Sequence, residues 1–264
     1  MSTVETGQPA EQRREALKRV FEQAQCCVRC QELASTRKNV VFGAGNADAE
    51  LMFIGEAPGA SEDEQGLPFV GRAGKLLETL LGEIGIARGD VFIANVLKCR
   101  PPGNRDPLPV EIVNCREYLY RQVELIQPRV ICSLGNFSTK LLREDPTGIT
   151  RLHGKPEELT LGRRTVRLYP IFHPAAALYT PRMLETLRED FSRLPELLAL
   201  PEPRQPQLAV AEESLDVAAA VNTAGAGAGA GAGAEDGPRA EDAAEADGRT
   251  KVEEARAVDQ LGLF

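Results

Sequence analysis

Three residues in this 264-residue chain carry side chains that could act together on a flat ligand. Phe69 lies in a glycine-rich loop, Asn95 interrupts an apolar run, and His173 precedes Pro174 and is one of two histidines in the chain. An aromatic ring can stack on a planar group, a carboxamide presents a donor beside an acceptor, and an imidazole can donate a hydrogen bond. Each also has a simpler interpretation, because a lone histidine is often structural and an asparagine can cap a turn.

The loop before Phe69 has the composition of a ligand-binding turn. Residues 51–54 are continuously apolar, which predicts a strand buried on both faces, and Gly55-Glu56-Ala57-Pro58-Gly59 follows directly. Glycines let the backbone approach a ligand closely and direct N–H groups toward it. Open α/β sheets bind ligands at the carboxyl ends of their strands. Because Asn95 and His173 also stand at predicted strand ends, we expect one edge of the sheet to carry the site.

Four of the six cysteines form two spaced pairs. Thiolates select zinc or an iron–sulfur cluster, and spacing does not separate the two. The alternatives are ordinary buried cysteines and a thioredoxin-like redox pair, although a redox CxxC normally opens a helix and this one follows a helix. Cys132 lies in an apolar run and is expected in the core, whereas Cys26 has no assigned role. The two pairs are Cys27 with Cys30 and Cys99 with Cys115.

The elements that would position these residues alternate between strands and helices. This alternation predicts an α/β fold, a three-layer sandwich with a central, mostly parallel sheet. The predicted strands are 38–42, 51–54, 91–97, 129–134 and 166–172. The predicted helices are 10–25, one containing the apolar positions 76, 77, 80 and 81, then 110–126, 138–143 and 183–198.

The charge distribution divides the chain near residue 200. Residues 201–264 hold 13 acidic and 5 basic residues, which equals the whole net charge of -8, so residues 1–200 are neutral. The acidic balance therefore describes the tail and does not exclude nucleic-acid binding by the body. We expect a domain over 1–200, a disordered acidic and Ala/Gly-rich linker over 201–259, and a short apolar peptide over 260–264. No apolar run of membrane-spanning length occurs, so no membrane association is expected.

The ordered motifs of the chain resemble those of the type 4 uracil-DNA glycosylases, the iron–sulfur branch of their superfamily. The resemblance covers roughly residues 17–198 and rests on segments 55–59, 66–74, Asn95 with 98–102, and 173–175. It implies a glycosylase that flips uracil out of single- or double-stranded DNA and hydrolyses the N-glycosidic bond in base excision repair. It also implies a [4Fe-4S] cluster held by Cys27, Cys30, Cys99 and Cys115. A monomer in the cytoplasm, associated with the nucleoid, is expected.

The resemblance assigns a role to each residue of the expected site. Phe69 would stack on the extruded base, Asn95 would pair with uracil O4 and N3, and His173 would donate to O2 of the departing anion. The substrate-binding set is Gly55, Glu56, Ala57, Phe69, Asn95 and His173. The catalytic set is His173, Asn95 and Glu56.

Two positions depart from the superfamily's pattern. Ala57 and Gly59 stand where its best-studied branch has an aspartate and a tyrosine, so the group that orients water and the wall against thymine are both changed. Glu56 is the favoured water-orienting group, and the alternatives are Glu62 and the charged phosphates of the DNA. Residues 98–106 contain no histidine, which disfavours the covalent capture of DNA seen in another branch.

Basic residues and the chain's last five residues suggest two further contacts. Several basic residues could contact DNA phosphates, although ordinary surface charge would also explain the presence of each. They are Arg100, Arg105, His153, Lys155, Arg163 and Arg164. The last residues resemble the peptide by which bacterial repair proteins bind the sliding clamp: Gln260, Leu261, Gly262, Leu263 and Phe264. A linker of about 59 residues would allow a reach of about 40 to 45 Å. The alternatives are a terminus that binds nothing and, for the whole chain, a non-enzymatic iron–sulfur protein that binds or senses damaged DNA.

Overall fold

The fold is seen in a computed structural model that describes residues 9–206. The expected clamp-binding residues Gln260, Leu261, Leu263 and Phe264, and all but the first six residues of the expected linker, lie outside the described residues.

Within residues 9–206, six strands form one sheet in the order β1-β3-β2-β4-β6-β5. The four central strands are parallel to one another, and the two edge strands run antiparallel to their neighbours. The predicted α/β fold with a central, mostly parallel sheet is therefore confirmed. The strands are β1 Ala44–Gly45, β2 Leu51–Gly55, β3 Phe92–Asn95, β4 Val130–Leu134, β5 Glu157–Leu161 and β6 Arg164–Ile171.

Helices cover both faces of this sheet, as the right-handed crossovers between parallel strands require. The helices are α1 Ala10–Gln25, α2 Gln31–Thr36, α3 Ala60–Gln65, α4 Arg72–Glu83, α5 Pro109–Ile126, α6 Gly135–Arg143, α7 Ile149–Leu152, α8 Pro174–Ala177, α9 Pro181–Ser192 and α10 Leu194–Ala199. Short 3-10 turns occur at Arg88–Asp90 and Pro102–Asn104.

Alternating side chains of the central strands divide the core into two layers. Met52 and Ile54 of β2 pack in one cluster with buried residues of α1 and α5, and Leu51 and Phe53 pack in the other with α4, α9 and α10. All five residues of β2 are buried. This burial on both faces explains the unbroken apolar run in the sequence.

The predicted strand over 38–42 is wrong. Val40, Val41 and Phe42 are buried, but their backbone forms no ladder. Side chains and one backbone bond satisfy this segment: Oδ1 of Asp63 accepts hydrogen bonds from the amides of residues 38 and 39, at 3.0 and 3.3 Å, Gln122 donates to the carbonyl of Phe42, and the amide of Val41 donates to the carbonyl of Lys98 at 2.7 Å.

A divided helix and an unpredicted strand also differ from the sequence expectation. The predicted helix 183–198 is two helices, α9 and α10, because Pro195 cannot donate the hydrogen bond that a continuous helix needs. The strand β5 was not predicted, since its exposed acidic residues hide the pattern. It pairs with β6 across a turn in which Gly162 has a φ of 61°.

None of the helices within residues 9–206 is both long and apolar enough to cross a bilayer.

Candidate active site

The carboxyl ends of β2 and β3 bring Gly55 and Asn95 side by side. The two residues are direct partners in the parallel ladder. A Cβ atom at Gly55 would lie 2.4 Å from Oδ1 of Asn95 and 2.8 Å from Cε2 of Phe69. Both distances are far below van der Waals contact, so only glycine leaves room here. The carboxamide and the aromatic ring therefore converge over the backbone of residue 55.

The carboxamide of Asn95 is buried without a complete set of hydrogen bonds. The residue is 2% exposed, and its Oδ1 atom has no partner among the described residues. An unpaired buried acceptor is costly, roughly 1 to 3 kcal/mol, and needs a specific explanation, such as a catalytic role. Oδ1 of Asn95 is therefore able to accept a hydrogen bond that none of the described residues donates.

Contacts to the backbone around Phe69 fix the position of its ring. It is 8% exposed and has a φ of 53°, which is uncommon for a bulky residue. A Cβ atom at Gly74 would lie 1.7 Å from the Phe69 carbonyl oxygen, so α4 packs directly on this loop. Oε1 of Glu62 accepts hydrogen bonds from the amides of Val70 and Gly71, at 3.0 and 2.9 Å. The loop is therefore braced on both sides of the ring.

Arg88 gives the same loop a further support. Its Nη2 donates to the carbonyl of Pro68 at 2.7 Å, directly before Phe69. Burial lowers the pKa of this guanidinium, and the charge of Glu78 opposes that shift.

His173 follows β6 and faces Phe69. The centroids of the two rings are 5.6 Å apart, with an interplanar angle of 30°. Nδ1 accepts a hydrogen bond from the amide of Ala175 at 3.1 Å, so in the neutral ring Nε2 carries the proton. Burial lowers the pKa of His173 to about 4, and the charge of Glu62 partly opposes the shift. His173 is therefore a neutral Nε2–H donor at physiological pH.

Phe69 and His173 border a cavity of about 420 Å³. Glu56 lines it, and burial, followed by the charge of Asp106, raises the pKa of the Glu56 carboxyl. The structure brings together most of the expected substrate-binding and catalytic residues: Glu56, Ala57, Phe69 and His173 line the cavity, with Gly55 and Asn95 behind them. Glu62 also lines it.

The four paired cysteines converge at a second place. Cys27, Cys30, Cys99 and Cys115 line one small cavity of about 20 Å³, beside Arg37. Three of their sulfur atoms accept hydrogen bonds: Cys99 from Nη1 of Arg37 at 3.3 Å, Cys115 from the amide of Lys98 at 3.3 Å, and Cys30 from Nδ2 of Asn114 at 3.5 Å. In the described range, no three His, Cys, Asp or Glu side chains have metal-binding geometry.

The remaining two cysteines stand apart. Cys132 is buried in the core, as expected, and Cys26 is exposed.

Lys98 connects the candidate active site to the cysteine cavity through its contacts with Asn95 and Cys115. It is 1% exposed, and its Nζ donates to the Asn95 carbonyl at 2.8 Å and to Oε1 of Gln122 at 2.5 Å. The sequence contained one indication of a buried polar partner for Lys98, because Gln122 lies on the apolar face of α5 with Leu119, Val123 and Ile126. A polar residue on such a face needs a buried partner.

The residues expected to contact DNA phosphates have hydrogen-bond or ion-pair partners within the protein. Arg105 lines the main cavity but pairs with Glu111 and Glu32, at 2.6 and 2.7 Å. His153 lies 3.2 Å from the carboxylate of Asp190. The others are Arg100, which donates to Asn104, Lys155, which donates to the carbonyl of Arg151, Arg163, whose amide donates to Glu124, and Arg164, which pairs with Glu202.

Comparison with known proteins places this geometry in a family. Residues 42–195 match the model of the uracil DNA glycosylase superfamily. The type-4 uracil-DNA glycosylase of Archaeoglobus fulgidus is 45% identical over 193 residues, which is 72% of this chain and 96% of that protein. The type-4 enzyme of Saccharolobus solfataricus is 46% identical over 185 residues, 68% of this chain and 85% of that protein.

A further relative is part of a much larger protein. The chain is 34% identical over 157 residues to a DNA polymerase of Bacillus phage SP01, a match that covers 59% of this chain and 16% of the polymerase. The chain belongs to the uracil DNA glycosylase superfamily and, within it, to the type-4 uracil-DNA glycosylases.

Proposed function

We propose that this protein is a DNA repair enzyme that extrudes uracil from DNA and hydrolyses its N-glycosidic bond, leaving an abasic site. One observation carries the proposal: the buried, unpaired Oδ1 of Asn95 lies beside the ring of Phe69. Uracil offers an N3–H donor next to the O4 acceptor, which a carboxamide complements with its oxygen and its N–H. Cytosine offers the opposite pattern, so Asn95 selects uracil while the ring of Phe69 stacks on either base.

His173 acts on the leaving group. Cleavage of the glycosidic bond leaves negative charge on the base, and a fixed donor aimed at O2 stabilises that charge. A neutral imidazole with its proton on Nε2 supplies such a donor, and the Ala175 amide holds the ring in this tautomer. Removal of one donor of this kind costs about 3 kcal/mol in other enzymes. The backbone amides near Gly55 and Glu56 would add further donors.

Water then attacks the sugar at C1′, and Glu56 is the proposed group that orients it. Its carboxylate lines the cavity, whereas one oxygen of Glu62 is occupied by two backbone amides. Glu62 therefore uses one oxygen to support the Phe69 loop, and we favour Glu56 because no backbone amide among the described residues donates to its carboxylate.

A uracil-release assay tests this function and separates it from the alternative of a protein that only binds DNA. A uracil-containing oligonucleotide is incubated with the protein and then cleaved with alkali at abasic sites. We expect wild type to release uracil, and Asn95→Ala and His173→Ala to reduce the rate while DNA affinity persists. Absence of release by the iron-loaded wild type from single- and double-stranded substrates would refute the function.

We also propose that Cys27, Cys30, Cys99 and Cys115 hold a [4Fe-4S] cluster. The donor set fits, because four thiol groups face one cavity and three of them accept hydrogen bonds from N–H groups. Thiolate ligands suit iron–sulfur clusters. When bound, the cluster would supply a structural cross-link between the segment after α1 and helix α5. Cys27→Ser should lower the iron and sulfide content, whereas Cys26→Ser, at the exposed neighbouring position, should leave both unchanged.

For the tail, we propose that residues 260–264 bind the sliding clamp through Gln260, Leu261, Leu263 and Phe264. Support comes from the resemblance of the last five residues to the clamp-binding peptides of bacterial repair and replication proteins. Binding of the tail to the clamp would raise the local concentration of the enzyme on replicated DNA without adding contacts at the active site. Deletion of 260–264 should abolish clamp binding in a pull-down and leave uracil release from short oligonucleotides unchanged. Unchanged clamp binding would refute this role.

Arg100, Arg105, His153 and Lys155 remain proposed phosphate contacts. Binding through phosphates depends on salt, with a slope set by the number of contacts. Loss of one such contact, for example in Lys155→Ala, should reduce that slope by about one for any DNA sequence.

A further inference from the structure

Lys98 is a buried cation with no acidic partner. The side chain is among the largest that are fully buried, and within residues 9–206 no carboxylate forms an ion pair with it. An ammonium group loses much hydration on burial and persists only where fixed polar groups replace water. The catalytic steps proposed above, base recognition, leaving-group stabilisation and water attack, do not explain why this lysine is buried.

Every polar group of Lys98 connects to a different part of the molecule. Nζ donates to the carbonyl of Asn95 and to Oε1 of Gln122, and the Nε2 of Gln122 donates to the carbonyl of Phe42 at 2.9 Å. The backbone amide donates to Cys115, and the backbone carbonyl accepts from Val41 at 2.7 Å. Lys98 thus joins the end of β3 to α5 and to the cysteine cavity.

The contact with Asn95 lies at the last residue of β3. Asn95 pairs with Gly55, and beyond it the amides of residues 96 and 97 donate to the carbonyls of residues 55 and 56, whereas the Asn95 carbonyl accepts from Lys98. Its carboxamide must meet the base with hydrogen-bond geometry, and a displacement of a few tenths of an ångström at the carbonyl would tilt it. A charged donor at 2.8 Å holds that carbonyl more firmly than a neutral one.

We propose that Lys98 is a positioning residue, which orients the carboxamide of Asn95 toward uracil by holding the Asn95 carbonyl, with Gln122 as its second anchor. The proposal rests on the proposed function, because it gives Asn95 the base-reading role. It predicts that the effect of losing Lys98 passes through Asn95.

A double-mutant cycle tests this coupling. Single-turnover uracil release is measured for Lys98→Met in the wild-type background and in Asn95→Ala, with rates normalised to iron content. We expect about a tenfold loss in the wild-type background and less than about a twofold loss in Asn95→Ala. Affinity for DNA that contains an abasic site should not change, because phosphate contacts are untouched. Lys18→Met, a matched change on α1, should have no effect in either background.

Equal losses in both backgrounds would overturn the proposal, because they would show a general structural effect. If Lys98→Met does not fold, Gln122→Met replaces it, since this change removes the second anchor and keeps the ammonium. A smaller loss that disappears in Asn95→Ala would then support the proposal, and equal losses would again overturn it. Unchanged release by Asn95→Ala alone would instead refute the base-reading role of Asn95, whereas only absence of release by the wild type would refute the proposed function.

Discussion

The close approach at Gly55 gives the sharpest test of the site. The substitution Gly55→Ala adds one methyl group, whose carbon would lie 2.4 Å from Oδ1 of Asn95 and 2.8 and 2.9 Å from two atoms of the Phe69 ring. Normal contact requires more than 3.4 Å. Since residues 51–54 are paired on both sides and Gly55 is itself paired with Asn95, we expect the two side chains to move rather than the backbone of β2.

The expected magnitude follows from the two contacts that this movement breaks. Stacking contributes about 1 to 3 kcal/mol per base, and a bidentate carboxamide contact contributes about 1 to 3 kcal/mol. Loss of both would remove about 2 to 6 kcal/mol of transition-state binding, which lowers the rate about 30-fold to about 10⁴-fold. Overpacking should destabilise the fold by only about 1 to 3 kcal/mol.

The assay is single-turnover uracil release, with thermal unfolding measured in parallel. Gly82→Ala is the matched control, because Gly82 is a helical glycine of α4 with nothing within 4 Å of the added methyl group. The control should keep the wild-type rate and stabilise the helix by up to about 1 kcal/mol. A folded Gly55→Ala variant with the wild-type rate would refute the assignment of Asn95 and Phe69 to the uracil site.

Three other predictions concern the same cavity. Because His173 has a pKa of about 4, its imidazole should remain neutral from pH 8 to pH 5 in an NMR titration, with the two histidines assigned by means of His153→Asn. The free energy of unfolding should fall as the pH drops from about 6.5 toward 4, because in this range only the unfolded chain takes up a proton at His173. A titration of His173 near 6.5 would contradict this. Asn95→Asp should slow uracil release about 5- to 160-fold, since a carboxylate has no N–H for O4; an unchanged rate would exclude pairing by the carboxamide. Glu62→Ala should slow uracil release, because two amides of the Phe69 loop lose their acceptor. Glu62→Gln keeps an acceptor oxygen and should restore most of the rate. Failure of this rescue would indicate a direct role for the charge of Glu62.

Some elements were predictable because the sequence pattern matched their burial. The helix 10–25 and the strand 51–54 agree with α1 and β2 almost residue for residue, since helical spacing and a continuous apolar run are strong signals. Residues 38–42 show the opposite case. Their apolar character reported burial correctly, but Asp63 and Gln122 provide most of the hydrogen bonds that a strand partner would have provided, and a single backbone bond to Lys98 does not make a ladder.

The sequence by itself determined which chemical groups this protein has and the order in which they follow the strands: a ring, a carboxamide, an imidazole and two pairs of thiols. Only the tertiary structure decided which of them meet and in what state. Asn95 has an unpaired oxygen, Glu62 braces a loop, and Lys98 is buried rather than exposed. The physical reason is that periodicity records the side of an element on which a residue lies. Contacts between distant residues, in contrast, depend on strand register and on how the layers pack.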